Sequence, residues 1–276
     1  MGIVSGGALV FPYSPYCGAP PHPGALFSRW NLDPMLLAAL ALVVVTYTLL
    51  TDRSYRAAVP SWRRGCFYSG WALGVAALIS PLCALSVSLF SARVGQHMIL
   101  EMIVAPLIAL GRPGVFVKAW LGQREAGRAA PSHGALAASG AFAVALWFWH
   151  APGPYQATFE SVGLYWLMHA TAFATALWLW VALFDAVRYR LGEFLAAALL
   201  TTLQMGFLGA VITFAARPLY APHWLTTEAW GLTPLQDQQL GGIIMWIPAG
   251  AVVLVAIMAA MAVAMRRSEA SAPARA

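Results

Sequence analysis

The chain has 276 residues, 61% of them hydrophobic and only 9% charged, with a formal net charge of +6. A water-soluble domain carries about 25% charged residues, so an ordinary soluble fold is excluded. A nucleic-acid partner would need a basic face on a soluble module, and the sequence offers none.

In chain order, the first 30 residues lack a basic start followed by an uninterrupted apolar core, so no cleavable signal peptide is expected. Phe11 to Pro23 is rich in Pro, Gly and Tyr and reads as an irregular arm. Apolar segments follow at 34–51, 66–90, 97–111, 135–150, 163–184, 194–216 and 240–265. Most reach the roughly 17–25 residues that a helix needs to cross a hydrocarbon core of about 30 Å. The third is cut by Gly111-Arg112-Pro113, and the fourth borrows Pro131 to Gly134 to reach full length, so either could be short, tilted or partly re-entrant. The expected fold is all-α, a polytopic membrane protein with seven transmembrane helices. Residues 1–30 form the arm, 31–266 the helical domain and 267–276 a tail.

Basic residues set the orientation. Arg53, Arg56, Arg63 and Arg64 follow the first segment, and Arg112, Lys118, Arg124 and Arg128 follow the third. Arg188 and Arg190 follow the fifth, and Arg266, Arg267 and Arg275 the last. The opposite side holds only Arg29, Arg93 and Arg217. Positive loops stay inside, which predicts an extracytoplasmic N-terminus and a cytoplasmic C-terminus. The same charge attracts anionic lipid headgroups.

Cys17, Cys66 and Cys83 form no CxxC pair and read as small buried apolar residues, with no disulfide framework or thiolate metal site expected. Gly70 with Gly74, and Gly206 with Gly209, read as small faces for close helix packing in lipid.

Chemistry concentrates in the histidines. This threading puts five of the six at or beyond the outer face. His133 is cytoplasmic and isolated, while His22 and His223 read as solvated loop residues. His97 and Glu101 are four apart and share a helix face. The carboxylate could orient an imidazole whose other nitrogen holds a metal; equally, Arg93–Glu101 or His97–Glu101 could only satisfy polar groups between helices. Met98 and Met102 occupy the adjacent face, as packing residues or soft copper ligands. His150 falls at the outer boundary of the fourth segment, among interfacial tryptophans and before helix-ending prolines. His169 lies roughly 10 Å into the fifth segment at 1.5 Å per residue, among apolar neighbours, and must be paired across helices. Asp237, just before the last segment, could be a hard ligand, a helix N-cap or a partner of Arg217. Gln204 in the sixth segment needs a hydrogen-bond partner from a neighbouring helix. Convergence of His97, His150 and His169 would suit copper or zinc, and Met98 or Met168 would tilt the site towards Cu(I).

From about Trp30 to Met265 the chain resembles the CtaG family of bacterial cytochrome c oxidase assembly factors, the seven-helix family of that name. The resemblance rests on Ile79-Ser80-Pro81-Leu82, Leu89-Phe90-Ser91-Ala92, Gln96-His97-Met98, Gly111-Arg112-Pro113 and Trp149-His150-Ala151-Pro152. Thr202 through Ala210 (TLQMGFLGA), Thr213-Phe214-Ala215, Pro218-Leu219-Tyr220 and Leu235 through Trp246 (LQDQQLGGIIMW) are more specific still. It implies a non-enzymatic role in maturing a haem–copper oxidase, with an oxidase subunit or a copper chaperone as partner and copper handled at His97, His150 and His169, more loosely at Asp237. Some members carry a second histidine one turn before the QHM histidine, where this chain has Arg93, so a ligand set that required it would be reorganised here. Two other readings compete. A haem-binding oxidoreductase would use the same histidines as axial ligands, but the inner leaflet offers no His pair for a second haem. A copper or solute transporter would need a polar path to the cytoplasm, and below Glu101 mainly Gln204, Thr201 and Thr202 are polar.

Overall fold

The computed structural model describes residues 4–5, 8–9, 11–54, 56–122 and 134–271. His133, Arg124, Arg128, Arg275 and the borrowed Pro131 lie outside them. Among the described residues, apart from a minimal antiparallel pair, Val4–Ser5 with Ala8–Leu9, regular structure is helical.

Helix α1 (Pro34–Leu49) begins where Asp33 accepts from the Met35 amide at 2.9 Å and Pro34 takes the first helical position. The second apolar segment is two helices, α2 (Ser61–Ile79) and α3 (Pro81–Ser88), bent by 52°. Pro81 has no N–H and pushes Ser80 into an extended conformation (ψ 170°), and the Ser80 hydroxyl then caps α3.

Helix α4 (Phe90–Ile99) passes through π-type turns over Leu100–Val104 into α5 (Ala105–Leu110). Pro106 explains the widened turns, because it cannot donate to the carbonyl one turn earlier. A short α6 (Gly114–Trp120) follows. The fourth segment is α7 (Ala135–His150), and its prolines do not simply end it: the chain resumes as α8 (Pro152–Glu160) at 70°. Helices α9 (Val162–Tyr189), α10 (Leu191–Thr213) and α11 (Pro234–Ser271) complete the bundle.

Among the described residues five stretches are long and apolar enough to cross a membrane, or up to seven if each bent pair counts as one span. Large apolar side chains such as Leu42, Val144, Leu203, Phe207 and Leu254 are exposed, as expected of a surface facing acyl chains. The continuous stretch Phe90–Leu110 sits at the centre, with 67% of its apolar window buried against 17% for α1.

Glycines set two close contacts. Cβ atoms placed on Gly70 and Gly74 would lie 2.8 Å from Leu107 and 3.3 Å from Val104, so α2 lies against the α4–α5 stretch. One on Gly209 would meet the Gly242 carbonyl at 3.0 Å, which seats α10 on α11. Gly206 instead faces open space, and Gly242 takes the interface role expected of it.

Candidate functional site

The arm end of the bundle holds the chemistry. His97 does not start a helix, as its place in the third segment suggested. It lies a full two turns inside α4, because the chain between α3 and α4 is helical up to Ser88 and again from Phe90. Arg93, counted among the basic residues of the outer side, lies inside the bundle at 3% exposure. Its guanidinium donates to Thr158 Oγ1 at 2.6 Å and Met168 Sδ at 3.5 Å, and lies 4.5 Å from the Phe159 ring centre and 4.9 Å from that of Tyr155.

His97 and His169 come together across α4 and α9, with ring centres 4.9 Å apart and planes at 67°. Both are buried. His169 Nδ1 lies 3.0 Å from the Tyr165 carbonyl, which only accepts, so Nδ1 carries the proton and Nε2 keeps its lone pair. His150 has the same arrangement, with Nδ1 donating to the Leu146 carbonyl at 2.8 Å. His97 Nδ1 faces Glu101 Oε1 at 3.6 Å. Nε2 of His97 and Nε2 of His169 are buried without a hydrogen-bond partner, and so is Glu101 Oε2. His150 joins through a narrow cavity of about 10 Å³, lined by Arg93, Val94, His97, Trp149, His150, Tyr155 and Met168. That is room for about one water, far below the several hundred Å³ of an ordinary cofactor pocket, so a haem finds no space there.

The remaining candidates go elsewhere. Met98 packs with Met102 in the main apolar core, whereas Met168 reaches the cavity. Asp237 is fully buried and caps α4 from another helix, accepting from the Phe90 amide at 2.6 Å, the Ser91 amide at 3.1 Å and the Ser91 hydroxyl at 2.5 Å. Both Gln204 amide atoms are buried and make no hydrogen bond. Among the described residues no three or more His, Cys, Asp or Glu side chains converge as a metal cluster.

Three features were not anticipated. Cys17 and Cys83 form a disulfide with Cα atoms 5.6 Å apart, contrary to the expectation of isolated thiols. Cys17 falls in the arm and Cys83 near the end of the second apolar segment away from its basic loop, so both lie towards one face, the one signal in the sequence that could pair them. His223 is buried, not solvated, and shares a 2.6 Å hydrogen bond with the Tyr155 hydroxyl. Its burial, and then the Arg93 charge, hold it down to about 3. Finally, the Tyr165 ring lies tilted against His169 with centres 4.3 Å apart, while its hydroxyl lies 3.5 Å from Cys17 Sγ and 3.9 Å from Cys83 Sγ.

Residues 45–268 match the profile of the cytochrome c oxidase caa3 assembly factor family, Caa3_CtaG. The chain belongs to this family. Searches of curated proteins and of solved structures each found no match. The site itself is two touching imidazoles and a third across a water-sized cavity, with the buried Arg93 guanidinium beside them.

Proposed function

We propose that this assembly factor holds copper, as cargo for a haem–copper oxidase, at the His97–His169 pair on the extracytoplasmic side of a bacterial inner membrane. One observation carries the reading: two buried imidazoles in contact, each with Nδ1 directed to an acceptor on its own helix and Nε2 left without a partner. A buried polar atom without a partner costs about 1–3 kcal/mol, and lone pairs left free on two imidazoles in contact are what a soft cation would use. Holding imidazoles through the other nitrogen is the usual way a protein orients metal ligands.

The donor set fits Cu(I) better than zinc, since a closed zinc site takes four ligands and imidazole suits copper. It also leaves ligand positions for a chaperone or oxidase subunit to fill during transfer, with His150 close enough to assist. The excess of basic residues on the loops away from the arm supports placing the site outside. The role is assembly and not catalysis.

The test is Cu(I) titration of the purified protein and of His169→Ala, with oxidase maturation followed in cells. His169→Ala is expected to insert normally, lose about tenfold in copper affinity, the order of effect of losing a ligand or its support, and leave the oxidase immature. Unchanged metal content with normal oxidase activity would sink the proposal. A haem signal in the reduced-minus-oxidised spectrum of the wild type would favour the oxidoreductase.

A further inference from the structure

The geometry points to the Cys17–Cys83 disulfide as a reducible latch: a dithiol protein on the arm side opens it and so uncovers the His97–His169 pair. The inference rests on reading that pair as a site to which access matters.

The latch and the pair are physically continuous. The two sulfurs lie against the Tyr165 hydroxyl, the Tyr165 ring lies against His169, and His169 touches His97. The arm covers this stack. Tyr16 stacks on Tyr165 at 5.0 Å and meets Trp166 edge-on, and Tyr16 and Cys17 pack on the buried group Trp149, Tyr165 and Met168. Cys17 is presented in a tight turn, closed by a 3.0 Å bond from the Gly18 amide to the Pro15 carbonyl and allowed by Gly18 at φ +83°. Among the described residues the arm is also attached to the helices by Tyr16 to Asp33, Ser88 to the Pro21 carbonyl, an edge contact of Tyr13 on Phe159 and the packing of Phe11 and Tyr13 on the main core.

The two sulfurs are unequal in a way that gives the exchange a direction. Cys17 is partly exposed, whereas Cys83 is 1% exposed. A thiolate of the incoming dithiol attacks Cys17 Sγ; the S–S bond breaks and its electron pair leaves on Cys83 Sγ. Donors stand ready for that developing thiolate: the Asn31 amide at 3.6 Å and the Tyr165 hydroxyl at 3.9 Å. The partner's second thiol then attacks its own sulfur in the mixed disulfide and releases Cys17. The partner ends as a disulfide, and two protons from solvent leave Cys17 and Cys83 as thiols. Such pairs form and turn over outside the cytoplasm, where the charge pattern places the arm.

The test measures histidine access without any metal. Full-length protein in detergent is treated with diethylpyrocarbonate in its oxidised form, after reduction by a purified thioredoxin-fold dithiol protein, and after reoxidation. Modification of His97 and His169 is read by mass spectrometry against the exposed His22. The expected result is about a tenfold rise on reduction, the size of a one-decade shift in a local opening equilibrium, reversed on reoxidation. The double variant C17S/C83S should match the reduced protein. Equal protection in every form overturns the latch, as does a disulfide that the dithiol protein cannot reduce. Copper titration of the same samples separates the two proposals. Raised labelling without copper binding removes the copper reading and leaves the latch. Copper bound alike in both forms with unchanged labelling does the reverse.

Discussion

Asp237→Ala separates a structural carboxylate from a ligand. In the native bundle this side chain accepts the first two amides of α4 and the Ser91 hydroxyl, all in a dry setting between α4 and α11. Alanine strands both amides, while the hydroxyl can rotate to another acceptor. Two orphaned amides at about 1–3 kcal/mol each give a cost of about 2–6 kcal/mol. Asp237→Asn keeps one acceptor oxygen but turns an NH2 towards the second amide, so roughly 2 kcal/mol is expected. The assay is reversible unfolding of the purified protein in mixed micelles by increasing SDS, with Cu(I) titration of the folded fraction. Both variants should unfold at lower SDS, in the order Ala before Asn, while the folded fraction keeps its copper affinity. An Asp237→Ala protein as stable as the wild type but unable to bind copper would refute the capping role and restore Asp237 as a ligand.

Further outcomes follow from other contacts. Gly242→Ala puts a Cβ 2.8 Å from the Gly209 carbonyl and 2.9 Å from the Thr213 amide, both backbone, so α10 and α11 must separate at a cost of about 1–3 kcal/mol. Gly206→Ala meets nothing, and the same SDS titration should leave it unchanged; equal effects would discredit the α10–α11 contact. His223 is held down to about 3 in the folded protein, below its unfolded value of about 6.5. The unfolded chain therefore takes up the proton first, and stability intact above about pH 6.5 falls towards pH 3 by at most ~1.4 kcal/mol per pH unit. His223→Gln keeps a partner for Tyr155 and should lose stability less steeply between about pH 6.5 and 5; parallel curves would remove His223 as the group responsible.

The histidines were legible because imidazole among Leu, Met and Ala in an apolar segment has to face another helix, and the His169 ring does meet His97 across α4 and α9, although its hydrogen bond goes to Tyr165 of its own helix. What the segments could not show was where helices start. Pro81 splits one apolar run into two helices, and Asp237, far away in sequence, supplies the cap that starts α4 at Phe90. That carries Arg93 and His97 into the bundle together. Gln204 shows the converse: its burial was foreseeable, but its amide has no hydrogen bond, so no neighbouring helix supplies the partner that position seemed to demand. His223 was hidden because loop position says nothing about what folds over a loop, here Phe90, Tyr155 and Phe159.

By itself the sequence determined the solvent this chain folds in, its apolar spans, the bias of its basic loops and its family, since each is a property of composition and order along the chain. Only tertiary structure decided which polar groups satisfy one another. Pairing Cys17 with Cys83, turning Asp237 to α4 and bringing together two imidazoles whose Nε2 atoms have no partner depend on how helices distant in sequence cross, and local periodicity carries no record of that crossing.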